Sequence, residues 1–186
     1  MIGYAMCGSF CTMGISMSVL QKLKTANYDI VPIMSDVVYS TNTRFGECEY
    51  FREKAKAICG KEIIHTIKDA EPFGPKMPLD ALIICPCTGN TLAKIASGVT
   101  DTPVCMAVKA HLRCDRPLLI ALASNDAISA NLKNISTLLM RKNIFFVPMF
   151  QDDPINKPHS LVADFSLVEK ALEAAKEGKQ LRKLFL

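Results

Sequence analysis

The runs LDALIIC (79–85) and PLLIALA (117–123) hold apolar residues with almost no alternation. A strand with one face in water alternates apolar and polar side chains, whereas a strand covered on both faces does not. Both runs therefore require a sheet buried on two sides. A parallel sheet whose strands are joined by crossover helices supplies that cover.

The rest of the chain reads as the parts of such a sheet. MIGYAM (1–6) is a short first strand. Ile15, Val19 and Leu23 then recur at helical spacing, and Asn27 ends that helix. YDIVPIM (28–34) is a second buried strand, 47–59 a helix with Gly60 as its stop, and KEIIHTI (61–67) a weaker third strand. Three prolines and a glycine make 70–79 a loop. A helix from Thr91 to Ala96 closes at Gly98, and VCMAVKAHL (104–112) is helical. PLLIALA is followed by Ser124-Asn125-Asp126 and a helix through Met140. NIFFVPMF (143–150) is the last strand and 151–158 a polar loop. From Ser160, the residues Leu161, Phe165, Val168, Leu172 and Ala175 mark a terminal amphipathic helix. The expectation is an α/β fold: one Rossmann-like, doubly wound parallel sheet in a single domain spanning 1–186.

Bulk properties narrow the function. No run reaches the roughly 18 apolar residues of a membrane span. The opening MIGYAMCGSF lacks a basic n-region, so a cytoplasmic setting is expected. The net charge is +4, with cations scattered and aromatics few, which argues against a nucleic-acid stripe. The eight cysteines contain no C-x-x-C pair. They are expected to be reduced and structural, with no metal site.

Ligands of doubly wound sheets bind beyond the carboxyl ends of the strands. Those ends here carry Gly8-Ser9, Ser35, Thr88-Gly89-Asn90-Thr91 and Ser124-Asn125-Asp126. Each turn alone is equally an N-cap. Four at one edge favour a ligand held by neutral donors, close backbone and helix N-termini, a setting that suits phosphate. G-x-G-x-x-G and G-x-x-x-x-G-K-[ST] are both absent, so a mononucleotide such as FMN fits better than a dinucleotide or a triphosphate. His65, His111 and His159 stand alone and are not read as catalytic bases. Lys109 and Arg113, four apart on one helical face, can bind a carboxylate or phosphate, or simply form a solvated basic face.

These residues carry a family resemblance. GSFCT, PCTGNTLAKIASGVTDTPV and RPLLIALASND resemble the flavoprotein superfamily that includes the FMN-dependent cysteine decarboxylases. With SNDA, FFVP, QDDP and KPHSLVAD added, nearly the whole chain resembles the B-subunit family of the dipicolinate synthases of spore-forming bacteria. The resemblance implies FMN held by Gly8, Ser9, Ser35, Thr88, Gly89, Asn90 and Thr91. It matches Asn125 to an asparagine that faces the substrate carboxylate in the decarboxylases. With Lys109 and Arg113, Asn125 is the expected contact for a small dicarboxylate substrate.

Two departures bear on the reaction. The decarboxylases carry a histidine shortly before the central strand, where this chain reads AEPFGPKMPLDALII. Their Cys-Gly lid is replaced by FQDDPINKPHS, which puts Gln151, Asp152 and Lys157 in that place. The implied activity is therefore an oxidoreductase one: oxidation of a dihydrodipicolinate-type precursor to dipicolinate. The implied partners are the A subunit of dipicolinate synthase, together with further copies of this chain, a trimer or larger. The implied setting is the mother-cell cytoplasm during sporulation. The alternatives are an FMN-dependent decarboxylase of a cysteine derivative and a non-catalytic, flavin-binding partner protein.

Overall fold

Apolar strand segments and amphipathic helices alternate through a computed structural model that describes residues 1–186. In chain order the elements are β1 (Ile2–Met6), α1 (Met13–Thr25), β2 (Ile30–Met34), α2 (Asp36–Ser40), α3 (Cys48–Cys59) and α4 (Ile67–Ala70). There follow β3 (Ala81–Cys87), α5 (Gly89–Ser97), α6 (Pro103–Leu112), β4 (Leu118–Ser124) and α7 (Leu132–Leu139). The chain closes with β5 (Ile144–Phe146), β6 (Met149–Phe150), β7 (Leu161–Ala163) and α8 (Val168–Lys176).

Strands β2, β1, β3, β4 and β5 pair in that order, all parallel. This is the doubly wound order 2-1-3-4-5, whose direction of winding reverses between β1 and β3. Pro32, which has no N–H to give, sits on β2 at the edge of the sheet, where a strand tolerates it. Successive residues of β1 point to opposite faces. Ile2, Tyr4 and Met6 join a core with α1, α3 and α8, while Ala5 and Cys7 join a second core with α5, α6 and α7. The expected doubly wound α/β sheet is the one observed. No helix is long and apolar enough to cross a membrane.

Five local expectations give way. Residues 61–67 form no strand: Ile64 makes a single bridge to Ile33, and Thr66 then caps α4 by accepting the Asp69 N–H. The 143–150 run divides. β5 ends at Phe146, and β6 pairs antiparallel with β7 instead of continuing along β4. Leu161–Ala163 is a strand, not the start of a helix, because β4 extends past the end of β5 and needs a partner there. β7 supplies it, antiparallel, through Ala123↔Val162 and Ser124↔Leu161. The helix expected directly after Asp126 begins only at Leu132. On α1 Val19 and Leu23 are buried as expected, along with Met13, Met17 and Leu20, whereas Ile15 is 52% exposed.

A buried polar chain fixes α1 over the sheet. The Tyr4 hydroxyl donates to the Ser16 carbonyl at 2.8 Å, and the Ser16 hydroxyl donates to the Cys85 carbonyl at 2.6 Å. β1, α1 and β3 are thereby tied at one point. Burial pushes the thiols of Cys7 and Cys85 up to about 12, so neither is a thiolate at neutral pH. Tyr4→Phe keeps the ring and removes one hydrogen bond, a loss of about 1 kcal/mol. The melting midpoint should fall by roughly 2–4 °C, and an unchanged midpoint would show that the hydroxyl does not anchor α1.

Candidate functional site

The four polar turns all lie at the carboxyl ends of their strands, in the spatial order Ser35, Gly8-Ser9, Thr88–Thr91, Asn125. Backbone bonds lock neighbours together. The Cys7 N–H donates to the Pro86 carbonyl at 3.1 Å, and the Ser35 N–H donates to the Met6 carbonyl at 3.0 Å. Next to this rim, between the β1 turn and the β4–β7 strand ends, is a cavity of about 530 Å³. That volume falls within the roughly 300–1,000 Å³ of small-molecule sites. Ser9, Thr12, Ser124 and Asn125 give it polar walls, and Ile15, Phe150 and Phe165 give it apolar ones.

Within the rim, many polar atoms are already engaged. Thr88 caps α5: its hydroxyl oxygen accepts the Thr91 N–H at 3.2 Å and its proton goes to Thr91 Oγ1 at 3.1 Å. Gly89 is small because β4's turn packs on it. A Cβ there would lie 2.5 Å from Ser124 Oγ, 2.6 Å from Asn131 Nδ2 and 2.7 Å from Asp126 Oδ1. Thr12 closes the β1 turn by donating to the Ser9 carbonyl at 2.9 Å and the Ser9 hydroxyl at 3.1 Å. Asp164 accepts the N–H of Ser166 at 3.0 Å and its hydroxyl at 2.6 Å.

Other groups have no partner in the chain. Ser35 Oγ is buried without a hydrogen bond. Asn90 is exposed, and the leading N–H groups of α5 have no intrahelical acceptor. Asn125 is exposed at the cavity, and its amide bonds nothing. Its turn is nevertheless rigid. Asp126 accepts the Ser124 hydroxyl and, at 2.9 Å, the Asn131 amide, while Asn134 donates to Asn131 at 2.8 Å. Donation from Ser124, then from Asn131, holds the Asp126 carboxyl below the usual carboxylate range despite partial burial.

The structure brings Ser9 and Asn125 to one cavity. Gly8, Ser35 and the 88–91 turn stand on the same rim beside it. Lys109 and Arg113, the other expected carboxylate contacts, do not line this cavity. α6 runs back towards the amino edge, where His111 Nε2 lies 2.9 Å from the Pro117 carbonyl just before β4. Arg113 there faces Glu71 at 3.7 Å. None of the three histidines lines the cavity: His65 stacks on Tyr39 at 3.7 Å, and His111 is buried.

Residues 1–170 match the family model described as Flavoprotein. The chain belongs to the flavoprotein family. This flavoprotein is 40% identical over 185 residues to the dipicolinate synthase B subunit of Bacillus subtilis (strain 168), covering 100% of the chain and 92% of that relative. The crystal structure of the dipicolinate synthase B subunit from Bacillus halodurans C matches it with a TM-score of 0.92 at 38% identity, over 100% of this chain and 95% of that one. An FMN-dependent cysteine decarboxylase of known structure matches with a TM-score of 0.69 at 22% identity, over 94% and 95% of the two chains, and shares the fold alone.

Reading the residues for capping and phosphate turns does not reach all of the flavoprotein's cavity wall. Cys11, Asp164 and Ser166 line it as well, the last two because β7 delivers them. No local signal marks Asp164 and Ser166, since β7 forms by pairing with the distant β4 and β6. In Gly89→Ala, the added carbon would displace the locked Ser124–Asp126–Asn131 group, at a cost of roughly 1–3 kcal/mol. Its melting midpoint should drop with or without added flavin. A drop seen only with flavin present would assign Gly89 to ligand contact instead.

Proposed function

We propose that this flavoprotein holds FMN at the carboxyl rim and serves as the B subunit of a dipicolinate synthase. With its A-type partner, it takes part in oxidising a dihydrodipicolinate-type precursor to dipicolinate in the mother-cell cytoplasm of a sporulating bacterium. What carries the proposal is the free Asn125 amide at a rim cavity, in a chain 40% identical along its full length to such a protein.

The residues present suit a phosphorylated planar ring. The orphaned Ser35 hydroxyl, the Gly8-Ser9 turn and the leading N–H groups of Gly89 and Asn90 would hold its polar end. Bound FMN would supply a hydride acceptor. Asn125 donates to a substrate carboxylate without adding charge. The apolar walls exclude water from the face of a flat ring. A cavity with no histidine weighs against decarboxylation by the histidine-bearing route.

Assembly beyond the single chain is part of the proposal. Val37, Phe45 and Tyr50, on or beside α2 and α3, are each about half exposed, more apolar surface than a lone rim needs. A homo-oligomer of three or more copies, joined by the A-type partner, covers it.

Two measurements test the proposal. The purified chain titrated with FMN should acquire the visible flavin absorption bands. At a hundredfold excess over Kd it should gain about 2.7 kcal/mol, read as a midpoint rise of several degrees. A colourless chain with no thermal gain would leave only a non-catalytic partner role. In the two-component synthase complex, Asn125→Ala should lower kcat/KM by roughly tenfold or more with the flavin content unchanged. Unaltered kinetics would remove Asn125 from the substrate site.

A further inference from the structure

The 151–158 loop bordering the cavity is braced by its own hydrogen bonds. Asp153 accepts the Asn156 N–H at 3.0 Å, the Lys157 N–H donates to the Asp153 carbonyl at 2.8 Å, and Gln151 donates its amide to the Pro158 carbonyl at 3.0 Å. The loop backbone is therefore set independently of what it faces. Two of its side chains, Asp152 and Lys157, line the cavity. Lys157 is the only cation among the lining residues.

The charges around the cavity are not equally available. Asp164 takes both donors of Ser166 on one oxygen, Oδ1. Asp152 pairs with the Lys157 ammonium at 2.9 Å, and that donation holds its carboxyl below the usual range. The lysine is 48% exposed and the aspartate 27%. An ion pair this open is weak and readily exchanged, so an arriving carboxylate can take the ammonium from Asp152 at little cost. The ammonium also rides on a flexible four-carbon stem, above a backbone that does not need to move.

Given the dicarboxylate substrate proposed above, we infer that Lys157 binds the second carboxylate of that substrate while the Asn125 amide binds the first. Asp152 is a positioning residue: it holds the ammonium at the cavity wall in the free protein and competes with the ligand for it. Two separate donors in one cavity select dicarboxylates over monocarboxylates, because a ligand lacking one carboxylate leaves a donor without its partner. The lysine thus takes over the recognition expected of Lys109 and Arg113.

The test is calorimetric titration of the full chain, in saturating FMN, with pyridine-2,6-dicarboxylate and with pyridine-2-carboxylate. Wild type should prefer the dicarboxylate by about tenfold or more. Lys157→Ala should lose most of that preference by weakening the dicarboxylate alone. Asp152→Asn should move the other way and tighten the dicarboxylate a few-fold, a gain that a merely structural pair would not give. Lys157→Ala binding the dicarboxylate as wild type does, or weakening both ligands equally, overturns the assignment of Lys157. So does an Asp152→Asn variant with lowered dicarboxylate affinity. Failure of wild type to bind the dicarboxylate at all overturns the dicarboxylate reading together with it.

Discussion

Every residue of β1, β2, β3, β4 and β5 is buried. Sheet faces of this kind have no room for a polar ligand, since each side chain packs against a helix and each backbone group in the ladder is paired. Unpaired polar groups can gather only where the strands stop. At the amino edge the loops are filled by ion pairs such as Arg113–Glu71 and Arg116–Asp80. At the carboxyl edge small residues and helix starts leave donors free. The placement of chemistry at one rim is thus a consequence of how thoroughly the sheet is covered.

The unequal lengths of β4 and β5 shape that rim further. β4 runs on through Ala123 and Ser124 after β5 has ended opposite Ile120. An unpaired segment of buried strand is costly, because its N–H and C=O groups would lie away from water without partners. β7 fills the gap antiparallel, and β6 pairs behind it. The hairpin between them is the 151–158 loop. Pairing of the β4 end therefore carries Asp152, Lys157 and Asp164 to the cavity in a single step, and Asn125 follows directly from the same strand.

Much of this was legible from the residues. Unalternating LDALIIC and PLLIALA required two-sided cover, and the sheet has it. Gly60 and Gly98 both adopt the left-handed conformation expected of helix stops, at φ of 68° and 74°. The rim turns were legible because Ser, Thr, Asn and Gly follow each apolar run. Illegible features were those decided by distant partners. Leu161, Phe165 and Val168 fit helical spacing, yet the open edge of β4 claims 161–163, a tertiary demand that outweighs local periodicity. KEIIHT holds too few apolar residues to bury a strand, and Thr66 turns the chain into α4 instead. The position of Lys109 and Arg113 depended on which way α6 runs across the sheet. A helix following a parallel strand returns towards the amino edge, so the end of α6 lies away from the rim.

Composition cannot separate the two uses of a small polar residue, as a cap or as a ligand contact; hydrogen-bond accounting can. Thr88 and Thr91 bond one another, Asp126 accepts from Ser124 and Asn131, and Asp164 Oδ1 accepts from Ser166. These residues build the scaffold. At the turns after β2 and β4, Ser35 Oγ and the Asn125 amide are left over, as is Ser160 Oγ just before β7. A buried hydroxyl without a partner costs stability. A ligand oxygen placed against it recovers that loss, and so gains affinity from strain the fold already carries. Asn125 differs in kind. It is exposed and costs nothing when free, so its value lies in direction: the locked Ser124–Asp126–Asn131 group aims the backbone that carries it. On the proposed function, the Ser35 hydroxyl would favour occupancy of the rim and the Asn125 amide would orient what binds beside it.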